Sequence, residues 1–340
     1  MKSFLPVLIA VAVLALLQLV LGDAAFVTYH ATRVGVWVIM AVSLNIINGM
    51  TGQFSIGHAG FMAVGAYASS LLTLLLHQYR IGFLPDPVTA QLFFLTALLA
   101  GGALAGVAGF LVGLPSLRLK GDYLAIVTLG FGEIIRVIVT NMKVTGGALG
   151  LSSIPPHTSL FMVWFWVFVV VLLARRLADS SHGRSLLAIR EDEVAAEAMG
   201  VDTTSYKVRA FVVSSFFAGV AGGLFAHFLQ AINPNSFTFV QSIEVVVMVV
   251  AGGLGSTTGA VVAATFLVML PEGLRTLFLQ LGGENQSLAQ KVDQVRMPIY
   301  GLLLVVIMLT RPQGIFGTHE LWDLWKRKKG APEKPKAVAA

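Results

Sequence analysis

Apolar blocks follow one another along this chain, several of them near the roughly 20 residues a helix needs to cross a hydrocarbon core of about 30 Å. In order they are Phe4–Leu21, Val34–Asn48, a stretch from the glycine-rich GMTGQFSIGHAGFMAVGAY (Gly49–Tyr67) on to Leu76, Gln91–Leu114, Tyr123–Thr140, Ser159–Ala174, Ala210–Gln230, Ile243–Leu270 and Pro298–Thr310. No clear small-x-small cleavage site follows the first block, and it is long for a signal-peptide core, so it reads as a retained span. Pro115 closes the fourth ahead of Arg118 and Lys120. Only one long polar segment lies between apolar ones: Gly183–Lys207, GRSLLAIREDEVAAEAMGVDTTSYK. It predicts a helix with Ser185 as N-cap, apolar residues at Leu187, Ile189, Val194, Ala195, Ala198 and Met199, and Gly200 as the stop. On pattern alone it is equally a solvated loop or a docking surface.

Charge settles the number of crossings. Six of the 23 Lys and Arg fall in the tail (Lys326, Arg327, Lys328, Lys329, Lys334, Lys336) and six in Arg175–Arg209. Both clusters therefore belong on the cytoplasmic side, beside anionic lipid. Between them the chain must cross an even number of times. Ile243–Leu270, which would be about 42 Å long as one straight helix, therefore contributes either no crossing or two; two is the preferred reading, about Phe237–Gly253 and Ser256–Pro271, with a break at GGLGSTTG (Gly252–Gly259). From a cytoplasmic N-terminus the front half makes six crossings to Arg175. The expected fold is all-α: a polytopic transmembrane helical bundle of about ten spans, both termini cytoplasmic. Residues 1–318 form the membrane domain, with a cytoplasmic loop at 175–209, and 319–340 form a basic tail. Breaks at GMTGQFSIGHAG and GGLGSTTGA interrupt two spans of the same direction, a pairing that marks translocation sites in many transporters.

Composition agrees and removes other classes. Hydrophobic residues make up 56% and charged residues 12%, about half the charged share of a soluble domain. Alternating ten-residue strands of a membrane barrel are missing. Without cysteine there is no disulfide, thiolate metal site or cysteine nucleophile. The net charge of +6 comes from loop and tail clusters, which suits lipid better than nucleic acid. No GxxxxGK[ST] loop occurs, so P-loop binding of ATP is not expected. The seven histidines show no metal-ligand spacing, and GLGSTTG lacks the βαβ setting of a dinucleotide fingerprint. No catalytic, cofactor-binding or metal-binding residues are assigned, and the chain is not expected to be an enzyme.

Polar groups at bilayer depth carry more meaning, because a charge there costs a few kcal/mol. Glu133 and Arg136 are three apart on one helix and read as a mutually neutralising structural pair in preference to a substrate contact. Glu244 and His227 fall near span ends, where solvated positions are expected. Gln53, Ser55 and His58 lie among Gly49, Gly52, Gly57 and Gly60, where irregular backbone survives only if buried in protein or lining a cavity. Close packing through small residues is an equal alternative. With Thr128, Gly253 and Ser256 these three form the candidate translocation path. Ala105, Gly109 and Gly113, and likewise Gly219 and Gly223, read as helix-packing faces.

Four blocks carry a family resemblance: GMTGQFSIGHAGFMAVGAY, DYLAIVTLGFGEIIRVIVTNMKVTGGALGL, GRSLLAIREDEVAAEAMGVDTTSYKVRAFVVSSFFAGVAGGL and VVAGGLGSTTGAVVAA. In order and spacing, across Val34–Gly314, they resemble the permeases of high-affinity branched-chain amino acid ABC importers, of the LivM type. The resemblance implies a pore-forming subunit in a bacterial or archaeal cytoplasmic (inner) membrane. It implies a second, homologous permease, two cytoplasmic ATPase subunits that hold the ATP and Mg, and an extracytoplasmic substrate-binding protein. It makes Ser185–Gly200 a coupling helix seated on an ATPase, with Arg190, Glu191, Asp192, Glu193, Ala195, Ala196, Glu197 and Gly200 as coupling residues. Many import permeases carry EAA-x3-G there. Here Ala195, Ala196 and Gly200 keep the spacing, but Val194 takes the strict Glu position and Glu193 lies one residue early. Asp192 stands where the family commonly has Asn, and the tail beyond Thr318 is outside the pattern. Leucine, isoleucine and valine follow only from the resemblance. The alternatives are a urea, amide or sugar permease of the same superfamily, an ion-coupled secondary transporter, and a membrane scaffold.

Overall fold

The computed structural model describes residues 25–76, 86–116 and 121–282, with isolated positions and short pieces between 298 and 320. Phe4–Leu21 lies outside the described residues, and Pro298–Thr310 is described only at scattered helical positions. Helix α1 (Ala25–Asn45) runs on into a π-helical turn, Ile46–Met50. From Val34 to Met50 every residue is buried. The apolar pattern has no polar stripe over this stretch, as suits a helix with neighbours on all sides. It is the axis of the molecule, packed by α5 (Leu160–Asp179), α8 (Thr203–Leu229) and α10 (Thr257–Gly282).

A second group joins α2 (His58–Leu76), α3 (Asp86–Ser116) and α8, the most extensive helix contacts in the structure. Small residues allow it. A Cβ placed on Gly65 would overlap the backbone of Gly219, and one on Gly219 would strike Ala105 and come within 3.1 Å of the Gly102 Cα. The small-residue faces foreseen on α3 and α8 thus meet. Helix α4 (Asp122–Asn141) is the least covered of the apolar helices, with Ile126, Ile134, Val137 and Ile138 exposed. The α4–α5 and α8–α9 connections are tied by paired backbone bonds between Leu151 and Ile232, both 2.9 Å.

Helix α9 (Phe239–Gly252) has 14 residues, about 21 Å. It stops at the foreseen glycines: Gly253 and Gly255 take φ of +115° and +90°, angles that suit glycine. The chain returns as α10. Ile315 and Phe316 donate their amides to the Ala251 and Gly252 carbonyls, closing the end of α9. Glu320 caps α10, its carboxylate accepting from the Thr257 and Thr258 amides at 2.7 and 3.0 Å. Glu320 falls in the segment assigned from sequence to the tail, yet it bonds into the helical fold.

The polar segment departs from expectation. It is two helices, α6 (Ser181–Glu191) and α7 (Glu193–Ala198). Ser180, not Ser185, caps the first, accepting from Gly183 N at 3.1 Å. Ser185 lies inside α6 and bonds back to the Ser181 carbonyl. Asp192, extended at φ −156°, breaks the segment and caps α7 through Val194 N and Ala195 N. A carboxylate at that position competes for the amides of the next turn, which periodicity does not register. Gly200 ends the segment at φ +84°, as expected.

His227 and Glu244 do not occupy the solvated positions expected near span ends. Both are buried, at 0% and 5% exposure. His227 Nδ1 lies 2.8 Å from the Gly223 carbonyl and Nε2 lies 3.0 Å from Thr73 Oγ1. Neighbouring helices cover positions that look terminal along the chain. Among the described residues, seven helices are long and apolar enough to cross a membrane, and Thr257–Gly273 is a shorter apolar one. The chain is an all-α polytopic bundle.

Candidate functional site

The two interrupted segments meet at the end of the bundle that carries α6 and α7. On the first, Asn48 holds the 51–57 loop as a backbone strand would: Ser55 N donates to Asn48 Oδ1 at 3.1 Å, and Asn48 Nδ2 donates to Ser55 O at 3.4 Å. Thr51 N and Oγ1 both reach the Ile47 carbonyl. Ile56 N donates to Thr128 Oγ1 on α4 at 3.1 Å, and Gly57 sits against the Thr128 carbonyl with no room for a Cβ. At the head of α2, Ala59 N donates to Ser242 Oγ of α9 at 2.9 Å, and His58 Nε2 lies 2.8 Å from Ser43 Oγ of α1. The loop and the head of α2 are thus tied to α1, α4 and α9, the kind of protein enclosure that irregular backbone needs at membrane depth.

The second break touches the first directly. Gly255 N donates to Asn45 Oδ1 at 2.9 Å, the last residue before the π turn. Gly49 lies against the Gly255 backbone closely enough that any side chain at 49 would collide with it. Arg190, from α6, completes the junction. Its Nη1 donates to the Gly49 carbonyl at 2.9 Å, its stem covers Gly52, and a Cβ on Gly255 would come within 2.7 Å of Nη1. One guanidinium therefore contacts both breaks.

Around this knot α6 and α7 present two faces. Inward, Ala196 is buried, and Glu193 pairs with the buried Lys207 ammonium at 2.6 Å. Glu197 accepts from Thr203 Oγ1 at 2.6 Å. Outward, Val194 and Met199 are 67% and 84% exposed, flanked by exposed Glu191, Asp192, Ala195, Glu197 and Gly200. A cavity of about 300 Å³ lies under the segment, with Gln53, Phe54, Arg190, Glu193 and Lys207 in its wall. Asp202 caps α8; the Ser205 hydroxyl and amide hold its carboxyl below the usual carboxylate range.

The structure brings Gln53, Ser55, His58, Thr128, Gly253 and Ser256 to this one region. Only Gln53 lines the cavity; the other five are buried and packed. Of the eight coupling residues, Arg190 and Glu193 turn inward, Ala196 is buried, and the remaining five face out. Glu133 and Arg136 form the expected pair, 2.7 Å from Nε to Oε2. The other Glu133 oxygen accepts from Phe239 N at 3.3 Å, so the pair also joins α4 to the start of α9. Sequence reasoning missed Asn45 and Asn48, though amides inside an apolar span were a usable signal. It also missed Ser43, Ser242 and Lys207, whose roles depend on helices far apart in the chain.

The family model for the branched-chain amino acid transport system permease component matches residues 26–309. The chain is 33% identical to the high-affinity branched-chain amino acid transport system permease protein LivM of Salmonella typhimurium, covering 92% of this chain and 74% of that one. Identity is 34% to the Escherichia coli protein of the same name, over 84% of this chain and 68% of the relative. A probable permease protein LivH of Methanocaldococcus jannaschii is 26% identical over 86% and 90% of the two chains. Among solved structures, PsaBC from Streptococcus pneumoniae in complex with Fab aligns with a TM-score of 0.44 at 16% identity, over 86% of this chain and 94% of that one.

Proposed function

The chain belongs to the family of branched-chain amino acid transport system permease components, and from that premise we propose that it is the membrane-spanning subunit of an ATP-driven importer of leucine, isoleucine and valine. The observation that carries the mechanism is the reach of Arg190 to the Gly49 carbonyl beside Gly255. A segment with an exposed outer ridge and an inner arginine on both broken spans is built to pass a push inward.

In this reading α6 and α7 lie in the cytoplasm, both termini are on that side, and the membrane is the inner membrane of a bacterium or archaeon. Val194, Ala195, Met199 and Gly200 seat on a cytoplasmic ATPase, with Glu191, Asp192 and Glu197 around them. ATP and Mg belong to two such ATPase subunits. A second, homologous permease completes the pore, and an extracytoplasmic binding protein delivers substrate. Closure of the ATPase pair moves α6–α7; Arg190 carries the motion to the Gly49–Gly52 and Gly253–Ser256 breaks, which open the passage in turn.

Reconstitution of the assembled importer in liposomes tests the proposal. Leucine uptake should require ATP inside the cytoplasmic compartment and the binding protein on the other face. Deleting residues 186–199 should abolish uptake while membrane insertion persists. Uptake driven by a proton or sodium gradient without ATP, or unchanged uptake in the deletion, would overturn it.

A further inference from the structure

The two interrupted segments meet a second time on α4. Ile56 N, from the first, donates to Thr128 Oγ1 at 3.1 Å. Phe239 N, at the start of α9, donates to Glu133 Oε1 at 3.3 Å. Thr128 and Glu133 lie about 7.5 Å apart along α4. The other end of α9 runs into Gly253 and Gly255, where Gly255 bonds to Asn45 and packs on Arg190. Between the two ends, Ser242 Oγ accepts from Ala59 N at the head of α2. Helix α9 is thus a short rod, fixed to the Arg190 junction at its C-terminal end and to α4 at its N-terminal end. Glu133 does more than neutralise Arg136: Oε2 takes the Arg136 Nε bond at 2.7 Å, and Oε1 takes the α9 amide. Thr238, the N-cap of α9, makes no side-chain cap bond of its own. A carboxylate suits that end, because a helix N-terminus carries free N–H groups and partial positive charge. Ionised groups within a span are costly and mark functional pathways, whereas a neutral acceptor would cap α9 without that cost. The Glu133 and Arg136 side chains are 29% and 30% exposed, on the least covered of the apolar helices. A Cβ added at Gly130, about one turn from Glu133, meets nothing within 4 Å, so among the described residues α4 has room to tilt on that side.

We infer that Glu133, held by Arg136, is the output link of the coupling mechanism: it ties α4 to α9, so that a displacement delivered by Arg190 at the far end of α9 tilts α4 and changes the passage beside it. Glu133 is a positioning residue; it acts through α4 and not on substrate. Arg136 aims the carboxylate at the α9 amide and offsets its charge. The Ile56–Thr128 bond supplies the fulcrum, since it ties the same helix to the other break. A pair that served only to cancel its own charges would need no third partner. The inference rests on the ATP-driven importer reading above and adds the step that follows Arg190.

The test compares two uncharged replacements in the assembled importer, reconstituted in liposomes with its binding protein and ATP. Glu133→Gln/Arg136→Gln keeps a side-chain oxygen for Phe239 N, and Glu133→Leu/Arg136→Leu removes it. Both variants shed the two charges, so a merely structural pair predicts that they behave alike. The Gln variant should keep leucine uptake within about 3-fold of wild type, and the Leu variant should lose about 10-fold or more. ATP hydrolysis and subunit assembly should be retained in both. Equal uptake per ATP in the two variants would overturn the link, and so would hydrolysis that falls in step with uptake. A second measurement keeps Glu133 and Arg136 in place. The chain holds no cysteine, so Val137→Cys, exposed on α4, takes a single spin label in a complex whose other subunits are cysteine-free. Its spectrum should differ between nucleotide-free and ATP–vanadate-trapped complexes. An unchanged spectrum would overturn the movement of α4, even where the Leu variant fails to assemble. ATP-driven uptake by the wild-type complex separates the two levels. A complex that imports leucine while the two variants behave alike loses the link alone; one that imports no leucine loses the proposed function.

Discussion

Arg190 and Gly49 stand 141 positions apart and are joined by a 2.9 Å bond from the guanidinium to the glycine carbonyl. The carbonyl is available because the π turn Ile46–Met50 and the irregular loop after it leave the helical ladder incomplete. Gly255 packs on the same guanidinium. Helix α6 cannot move away from the bundle without pulling on one break or separating the two.

Arg190→Ala should uncouple the importer. With a bond to a charged group worth about 1.5–3 kcal/mol, uptake is expected to fall by about 10- to 100-fold. ATP hydrolysis, measured as phosphate release from the same liposomes, should persist. Arg190→Lys keeps the charge but not the fork, and should recover little. Equal loss of hydrolysis and uptake would make Arg190 an assembly residue instead.

Close packing of α2, α3 and α8 predicts a sharp contrast between glycines. Gly65→Val and Gly219→Val should each destabilise the protein by about 1–3 kcal/mol or more, seen as a lower thermal midpoint in detergent. Gly130 has nothing within 4 Å of an added Cβ. Gly130→Ala should be neutral or stabilising by up to about 1 kcal/mol. Equal effects at the three sites would contradict the interhelical contacts described.

Lys207 is 3% exposed at its side chain and Glu193 25%. Removing the carboxylate strands a buried ammonium, whereas removing both leaves no charge to solvate. Glu193→Gln should therefore be more destabilising than the Lys207→Met/Glu193→Gln double variant. A double-mutant cycle on thermal or denaturant unfolding should return a coupling of about 0.5–3 kcal/mol. Additive effects would show that the pair contributes nothing.

Asp202 predicts a pH dependence at the entry to α8. Its folded carboxyl titrates below the usual value of 3.8 because two Ser205 bonds favour the charged form. A depressed value means the stabilisation is complete above the unfolded carboxylate range and is lost as pH falls through the folded value. Amide exchange at Thr203–Tyr206 should be flat from neutral pH down to about 4 and accelerate below it, after correction for intrinsic rates. Asp202→Asn, still a competent cap, should remove that acid-side acceleration.

Much of this fold is readable along the chain because a membrane span is a local property. Run lengths located α2 to α5 within a few residues, and the glycines of GGLGSTTG located the α9–α10 break. Ser180 and Asp192 were missed because several polar residues compete to cap one short segment, and only three-dimensional context chooses. His227 and Glu244 were misplaced for a related reason: position along a span does not say what packs beside it. The junction was half readable. Glycine spacing marked both breaks, but nothing local says that Asn45 bonds to Gly255 or that Arg190 turns inward while Glu191 turns out.

Helix α1 is enclosed along 94% of its apolar window, and this sets an order of events during synthesis. Asn45 emerges 210 positions before Gly255, its partner. At roughly 5–20 residues per second, that interval lasts about 10–40 s. Throughout it, Ser43, Asn45 and Asn48 sit on a helix whose eventual neighbours α5, α8 and α10 are not yet made. The translocation machinery, or a transient protein neighbour, must shelter those groups from lipid until the later helices close around them. The buried axis of the finished molecule is thus its most vulnerable element while it is being built.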